Sequence, residues 1–131
     1  MPEYLPLANQ GWPTNLIAWK ATIGSGASVS EMIPTQGKAL VGILMPAAWT
    51  AADIGLKACL TGSPSSLVPV YDNGGNVQKT PAAADRFIAF PLNNAVFGPW
   101  IQLTSLNTAS GAAENQGAAR ELILVFRNYL D

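Results

Sequence analysis

Residues 37–62 read GKALVGILMPAAWTAADIGLKACLTG, and how this stretch folds decides the class of the protein. Its only charges are Lys38, Asp53 and Lys57, and residues 39–52 carry none. A membrane-spanning helix needs about 20 consecutive apolar residues. The uncharged run is 14 residues long with Pro46 in its middle, where a proline removes a backbone donor and costs a helix about 3 kcal/mol. The stretch is therefore not expected to span a membrane. Read with a period of two, ALVGILM (39–45) has the length of a buried strand. IGLKACL (54–60) sets Ile54, Leu56, Ala58 and Leu60 on one face and Gly55, Lys57 and Cys59 on the other. PAAWTAAD (46–53) is then their connection, irregular or holding one short helical turn over residues 47–52.

The same periodicity runs through the rest of the chain. NLIAWKATI (15–23) alternates Ile17, Trp19, Ala21 and Ile23 against Leu16, Ala18, Lys20 and Thr22, and stops at GSG. SVSEMI (28–33) alternates up to Pro34, and RFIAFPL (86–92) is a short apolar strand ended by Pro91. In LVPVYDNGGNVQK (67–79) the residues Asp72, Asn73, Gly74 and Gly75 tolerate positive φ and close a hairpin. PWIQLTSL (99–106) sets Trp100, Gln102 and Thr104 against Ile101, Leu103 and Ser105, and a long loop of small and polar residues, NTASGAAENQGAA (107–119), follows. The last segment, RELILVFRNYL (120–130), is apolar on both faces at its centre, which suits a strand covered on both sides. No window sustains a 3.6-residue period, so a helical bundle is excluded.

With 131 residues the chain fits one domain. Ten prolines and twelve glycines are spread along it, as many short strands joined by turns require. The expected fold is all-β: an antiparallel two-sheet β-sandwich, read as a jelly roll, over residues 15–131. Residues 1–14, MPEYLPLANQGWPT, form an extended N-terminal arm, because Pro2, Pro6 and Pro13 disfavour a helix. That arm lies on its own domain or packs on a neighbour. Charged residues are 11% of the chain against about 25% in an average soluble protein. So weakly charged a surface asks to be covered by self-association or by docking into something larger.

Several function classes fall away. Net charge is −1 and the seven cations are scattered singly, so no nucleic-acid partner is expected. MPEYLPLANQ has neither a positive n-region nor an apolar h-region, so no Sec signal is read there. There is no histidine, the commonest general base and metal ligand. Cys59 thus reads as a small hydrophobe within a strand rather than a nucleophile. Asp53, Asp72, Asp85 and Glu114 are too far apart in sequence to announce a paired-carboxylate site. DNGGN (72–76) lacks the acidic repeat and bidentate Glu of a calcium loop and reads as a turn. GSGAS (24–28) resembles a phosphate cradle in composition only. No catalytic residue, metal or cofactor is expected, and the chain does not read as an enzyme. Of the four tryptophans, Trp19 and Trp100 lie in alternating strands, whereas Trp12 and Trp49 lie in connections, where a protein or sugar contact is more natural.

One resemblance extends this reading. LVGILMPAAWTAADIGLKACLTGS (40–63) followed by PVYDNGGNV (69–77) resembles a family of small virion proteins of tailed bacteriophages and prophages. That family reads roughly LVGI-x-MPAAWTAA, then a strand, then a Tyr/Asp-x-x-Gly turn. ADRFIAFPL (84–92) and PWIQLTSLNTASGAAENQGAARELILVFR (99–127) resemble the family's later strands, so the likeness covers residues 15–127. The MPAAWTAA element is its specific part. The chain departs from the pattern at TGSPSSL (61–67), where the family has Ser-x-Asp-Gly.

The resemblance implies a jelly-roll head decoration (cement) protein on the capsid surface of a virion, made in the host cytoplasm. Its implied partners are the major capsid protein and itself, as a dimer or trimer. The expected contact residues are Tyr4, Leu5, Leu7 and Trp12 of the arm, with Met45, Trp49 and Asp53 of the connection. The alternative is a glycan- or receptor-binding module of a phage tail or fibre.

Overall fold

The computed structural model describes residues 4–5, 16–71, 74–89 and 99–128. Among them ten strands follow one another: β1 (Tyr4–Leu5), β2 (Leu16–Ile23), β3 (Val29–Pro34), β4 (Lys38–Leu44), β5 (Asp53–Cys59), β6 (Val68–Pro69), β7 (Lys79–Thr80), β8 (Phe87–Ala89), β9 (Trp100–Leu106) and β10 (Arg120–Asn128). One sheet has the order β1-β2-β10-β4-β8, the other β3-β9-β5-β6, with β7 also on β5. Every pairing is antiparallel. The stretch that opened the question is thus two strands in opposite sheets. The expected two-sheet sandwich is what the chain forms.

The core lies between the sheets. Trp19, Ile43, Leu124 and Phe126 from the first sheet meet Ile33, Ile54, Ile101 and Leu103 from the second, all essentially closed to solvent. Each such side chain contributes about 1.5–3 kcal/mol by leaving water. β10 takes the centre of its sheet, between β2 and β4. Its inward residues Leu122, Leu124 and Phe126 are fully buried, and outward Val125 is nearly so. That is the physical meaning of its two apolar faces.

Tertiary structure departs from the sequence reading in four places. Residues 47–52 form bends without a helical turn. The alternation of IGLKACL breaks at its end, since β5 stops at Cys59 and Leu60 is 79% exposed. The alternation of SVSEMI breaks in its middle. A bulge between Val29 and Met32 puts the Ser30 hydroxyl into the ladder, where it accepts the Leu103 N–H at 3.0 Å. Lastly, β6 and β7 are two pieces of one edge. β6 pairs with Lys57 and Ala58, and β7 with Ile54 and Gly55. Between them the chain leaves the sheet as a hairpin, its neck closed by Gln78 N–H to Val70 O and a Tyr71–Val77 bridge. Asp72 and Asn73 of the expected turn lie outside the described residues.

Candidate functional site

The residues expected to make contacts are dispersed. The backbone of Tyr4 and Leu5 pairs with Trp19 and Ala18 of the same chain's β2. Leu7 and Trp12 lie outside the described residues. Met45 belongs to the core, and buried Asp53 accepts the Thr108 hydroxyl at 2.9 Å. Neither side chain is offered to a partner in this fold. Trp49 is half-buried against the core, and its indole N–H donates to Ala52 O at 3.1 Å. The two ends of the connection, Met45 at one and Ala52 and Asp53 at the other, turn inward where the chain crosses between the sheets, while Ala47, Ala48 and Ala51 are exposed.

What the fold assembles instead is a groove of about 230 Å³ on the outer face of the second sheet. Strand parity supplies its floor. Gly55 pairs with Thr104 and Lys57 with Gln102, so Lys57 and Thr104 are diagonal outward neighbours, about 7–8 Å apart along the sheet. One wall is Pro69 and Val77, from β6 and the hairpin, and another is Val29 of β3. The third is the turn after β9, where Gly111 and Ala113 reach the groove.

That turn is held firmly. Asn107 Oδ1 accepts the N–H groups of Ala109 and Ser110, and Asn107 Nδ2 donates to Glu114. Lys79 Nζ donates to Thr108 O at 2.8 Å, tying the turn to the sheet edge. Gly111, at φ +76°, lies beside Val77, where a Cβ would stand 3.5 Å from Cγ1. Turn and hairpin therefore close one end of the groove together.

Two features give the groove chemical character. Thr104 is only 4% exposed, and its Oγ1 has no hydrogen-bond partner among the described residues. Such a buried, unpartnered hydroxyl costs about 1–3 kcal/mol. It sits over Gly55, where a Cβ would come within 2.7 Å of Oγ1 and 2.4 Å of the Leu106 side chain. Among the described residues, half-buried Lys57 is the one charged residue lining the groove. Sequence alternation set Lys57 on the face opposite Ile54 and Leu56, and Thr104 on the face opposite Ile101 and Leu103. No sequence signal places them together, because their adjacency depends on the register of β5 and β9.

The first sheet offers a different surface. Its outward side carries Leu44, 46% exposed, and Phe87, 53% exposed, paired in register. The Phe87 ring lies over Gly42, where a Cβ would stand 2.5 Å from it. Val125 pairs with Gly42 and Ile123 with Leu44, continuing this apolar surface onto β10.

Among the described residues, no three His, Cys, Asp or Glu side chains come together as a metal site. Cys59 is buried in β5. Among the described residues no helix is long and apolar enough to cross a membrane. No family model, curated protein or solved structure matches the chain.

Proposed function

We propose that this protein is a head decoration protein of a tailed bacteriophage, docking on the outside of the capsid and on copies of itself. The observation that carries the reading is the apolar outward face of the first sheet. Leu44 and Phe87 expose large hydrophobic side chains side by side on the adjacent strands β4 and β8. A contiguous apolar face on a chain with few charges is built to be covered by protein. The resemblance of residues 40–63 to phage virion proteins supplies the kind of partner, the major capsid protein. The strand order supports the jelly-roll form of the sandwich: β2-β10-β4-β8 faces β3-β9-β5-β6, with successive strands mostly changing sheets.

The role is one of binding, by shape and apolar contact, with the virion surface as its location after synthesis in the host cytoplasm. Co-sedimentation with purified phage heads that lack the protein tests it. Saturable binding at a fixed ratio to the major capsid protein is expected, and Phe87→Ser weakens it. Absence of binding at all concentrations, together with a glycan captured on an array, would move the protein to a tail or fibre.

A further inference from the structure

Surface residues usually satisfy their polar groups with water or neighbours, and buried ones with protein. Thr104 does neither. Its hydroxyl is closed off on the outer side of the second sheet, beside Leu106 and above Gly55, at the floor of an open groove. Diagonal to it stands Lys57, whose ammonium has no hydrogen bond or ion pair among the described residues. An ammonium and a hydroxyl both donate hydrogen bonds, and a carboxylate accepts several. Around them the lining is apolar and small, from Val29, Pro69, Val77 and Ala113. At about 230 Å³ the space suits one side chain and its stem, and falls below the usual 300–1,000 Å³ of a ligand pocket.

We propose that the groove receives a glutamate side chain from an extended, otherwise apolar segment of a partner protein. Lys57 pairs with the carboxylate. A change of Leu106 rotamer opens the Thr104 hydroxyl, which donates the second hydrogen bond. Val29 and Val77 pack against the aliphatic stem and the neighbouring residues. Charge complementarity selects the occupant: one cation in an apolar setting accommodates one anion and rejects a second cation. The choice of a protein partner rests on the docking role proposed above, whereas the carboxylate chemistry rests on the groove alone.

The test needs no capsid. The ¹⁵N-labelled full chain is titrated with the peptide Ac-Val-Glu-Val-NH₂ and, separately, with Ac-Val-Gln-Val-NH₂, and amide shifts are followed. The expected result is saturable shifts at Lys57, Thr104, Val77 and Gly111, with the glutamate peptide tighter by about tenfold, the worth of one charge-assisted hydrogen bond. Lys57→Met abolishes that preference. Thr104→Val weakens binding while holding the melting temperature at or above that of the parent, because a methyl replaces an unpartnered hydroxyl. Equal binding of the two peptides, or shifts away from the groove, would overturn the proposal. So would tighter binding of free pentanoate than of the peptide, which would make this a small-acid site. Head co-sedimentation of Lys57→Met, measured in parallel, separates failure of the groove from failure of the decoration role.

Discussion

The Glu31 carboxylate takes two donors at once, the Trp19 indole N–H at 3.1 Å and the Thr22 backbone N–H at 3.0 Å. Glu31 belongs to β3 and both donors to β2, so one side chain ties the two sheets together. The two donors differ in what they lose without it. Thr22 is exposed and its N–H can turn to water, whereas Trp19 is buried in the core. Glu31→Ala is therefore predicted to destabilise the fold by about 1.5–3 kcal/mol, mostly through loss of the charge-assisted bond to the Trp19 indole. Glu31→Gln, which keeps an acceptor, costs about half as much. Urea denaturation followed by tryptophan fluorescence checks this, and an unchanged midpoint for Glu31→Ala would refute it.

Gln116 is the polar counterpart of the hydrophobic core. It is 1% exposed, yet both ends of its amide are satisfied. Oε1 accepts from Thr50 N–H at 2.9 Å and Arg120 Nε at 3.2 Å, while Nε2 donates to Thr50 O at 3.1 Å and Ser105 Oγ at 2.9 Å. Its backbone bonds Ala27 O and Gly26 N–H. One residue thus joins the connection before β5, the turn before β3, the end of β9 and the start of β10. Gln116→Leu, similar in volume but without polar atoms, strands the Thr50 backbone groups and is predicted to cost about 2–4 kcal/mol. Gln116→Glu keeps the shape but loses both Nε2 donors and is also destabilising. Thermal melts of the two variants decide it, and a loss below that of an ordinary surface substitution would contradict the network's importance.

Gly42 and Gly55 both sit in central strands where a Cβ would meet a neighbour below 3.0 Å, yet opposite outcomes are expected. At Gly42 the obstacle is the Phe87 ring, half-exposed and able to swing outward. Gly42→Ala should then fall within about 1 kcal/mol of the parent, since alanine recovers the entropy that glycine loses in a strand. At Gly55 the obstacles are two side chains of the adjacent β9, the half-buried Leu106 and the Thr104 hydroxyl, and the latter is buried. Gly55→Ala is predicted to cost about 1–3 kcal/mol through overpacking, and to shrink the groove. Equal melting temperatures for the two variants would be inconsistent with this distinction.

The passage from β3 to β4 is strained at one residue. Gln36 has φ +54° and Gly37 φ +75°, and Lys38 N–H closes the turn on Thr35 O at 3.0 Å. Two successive positive φ angles define the mirror-image turn that Asn-Gly fills best. A side chain other than Gly or Asn pays about 1–2 kcal/mol for that backbone. Gln36→Asn is accordingly predicted to raise stability by about 0.5–1 kcal/mol, read as a shift in the denaturation midpoint with an unchanged slope.

Strand content, the inward residues of β2, and the two apolar faces of β10 were legible because each follows from period-two alternation. Those are local properties, written in a few consecutive side chains. Which strands pair was not local, and with it went everything that depends on juxtaposition. The burial of Met45 and Asp53, which sequence reading had offered to a partner, follows from the chain crossing between sheets at that point. Gln116 lies in a loop of small polar residues and resembles its neighbours until four elements converge on it. Lys57 and Thr104 each showed the correct face, but only the register of β5 against β9 makes them neighbours. The sequence by itself determined an all-β chain with a weakly charged surface. Tertiary pairing decided where that surface forms a groove, because adjacency across a sheet is set by partners many residues away.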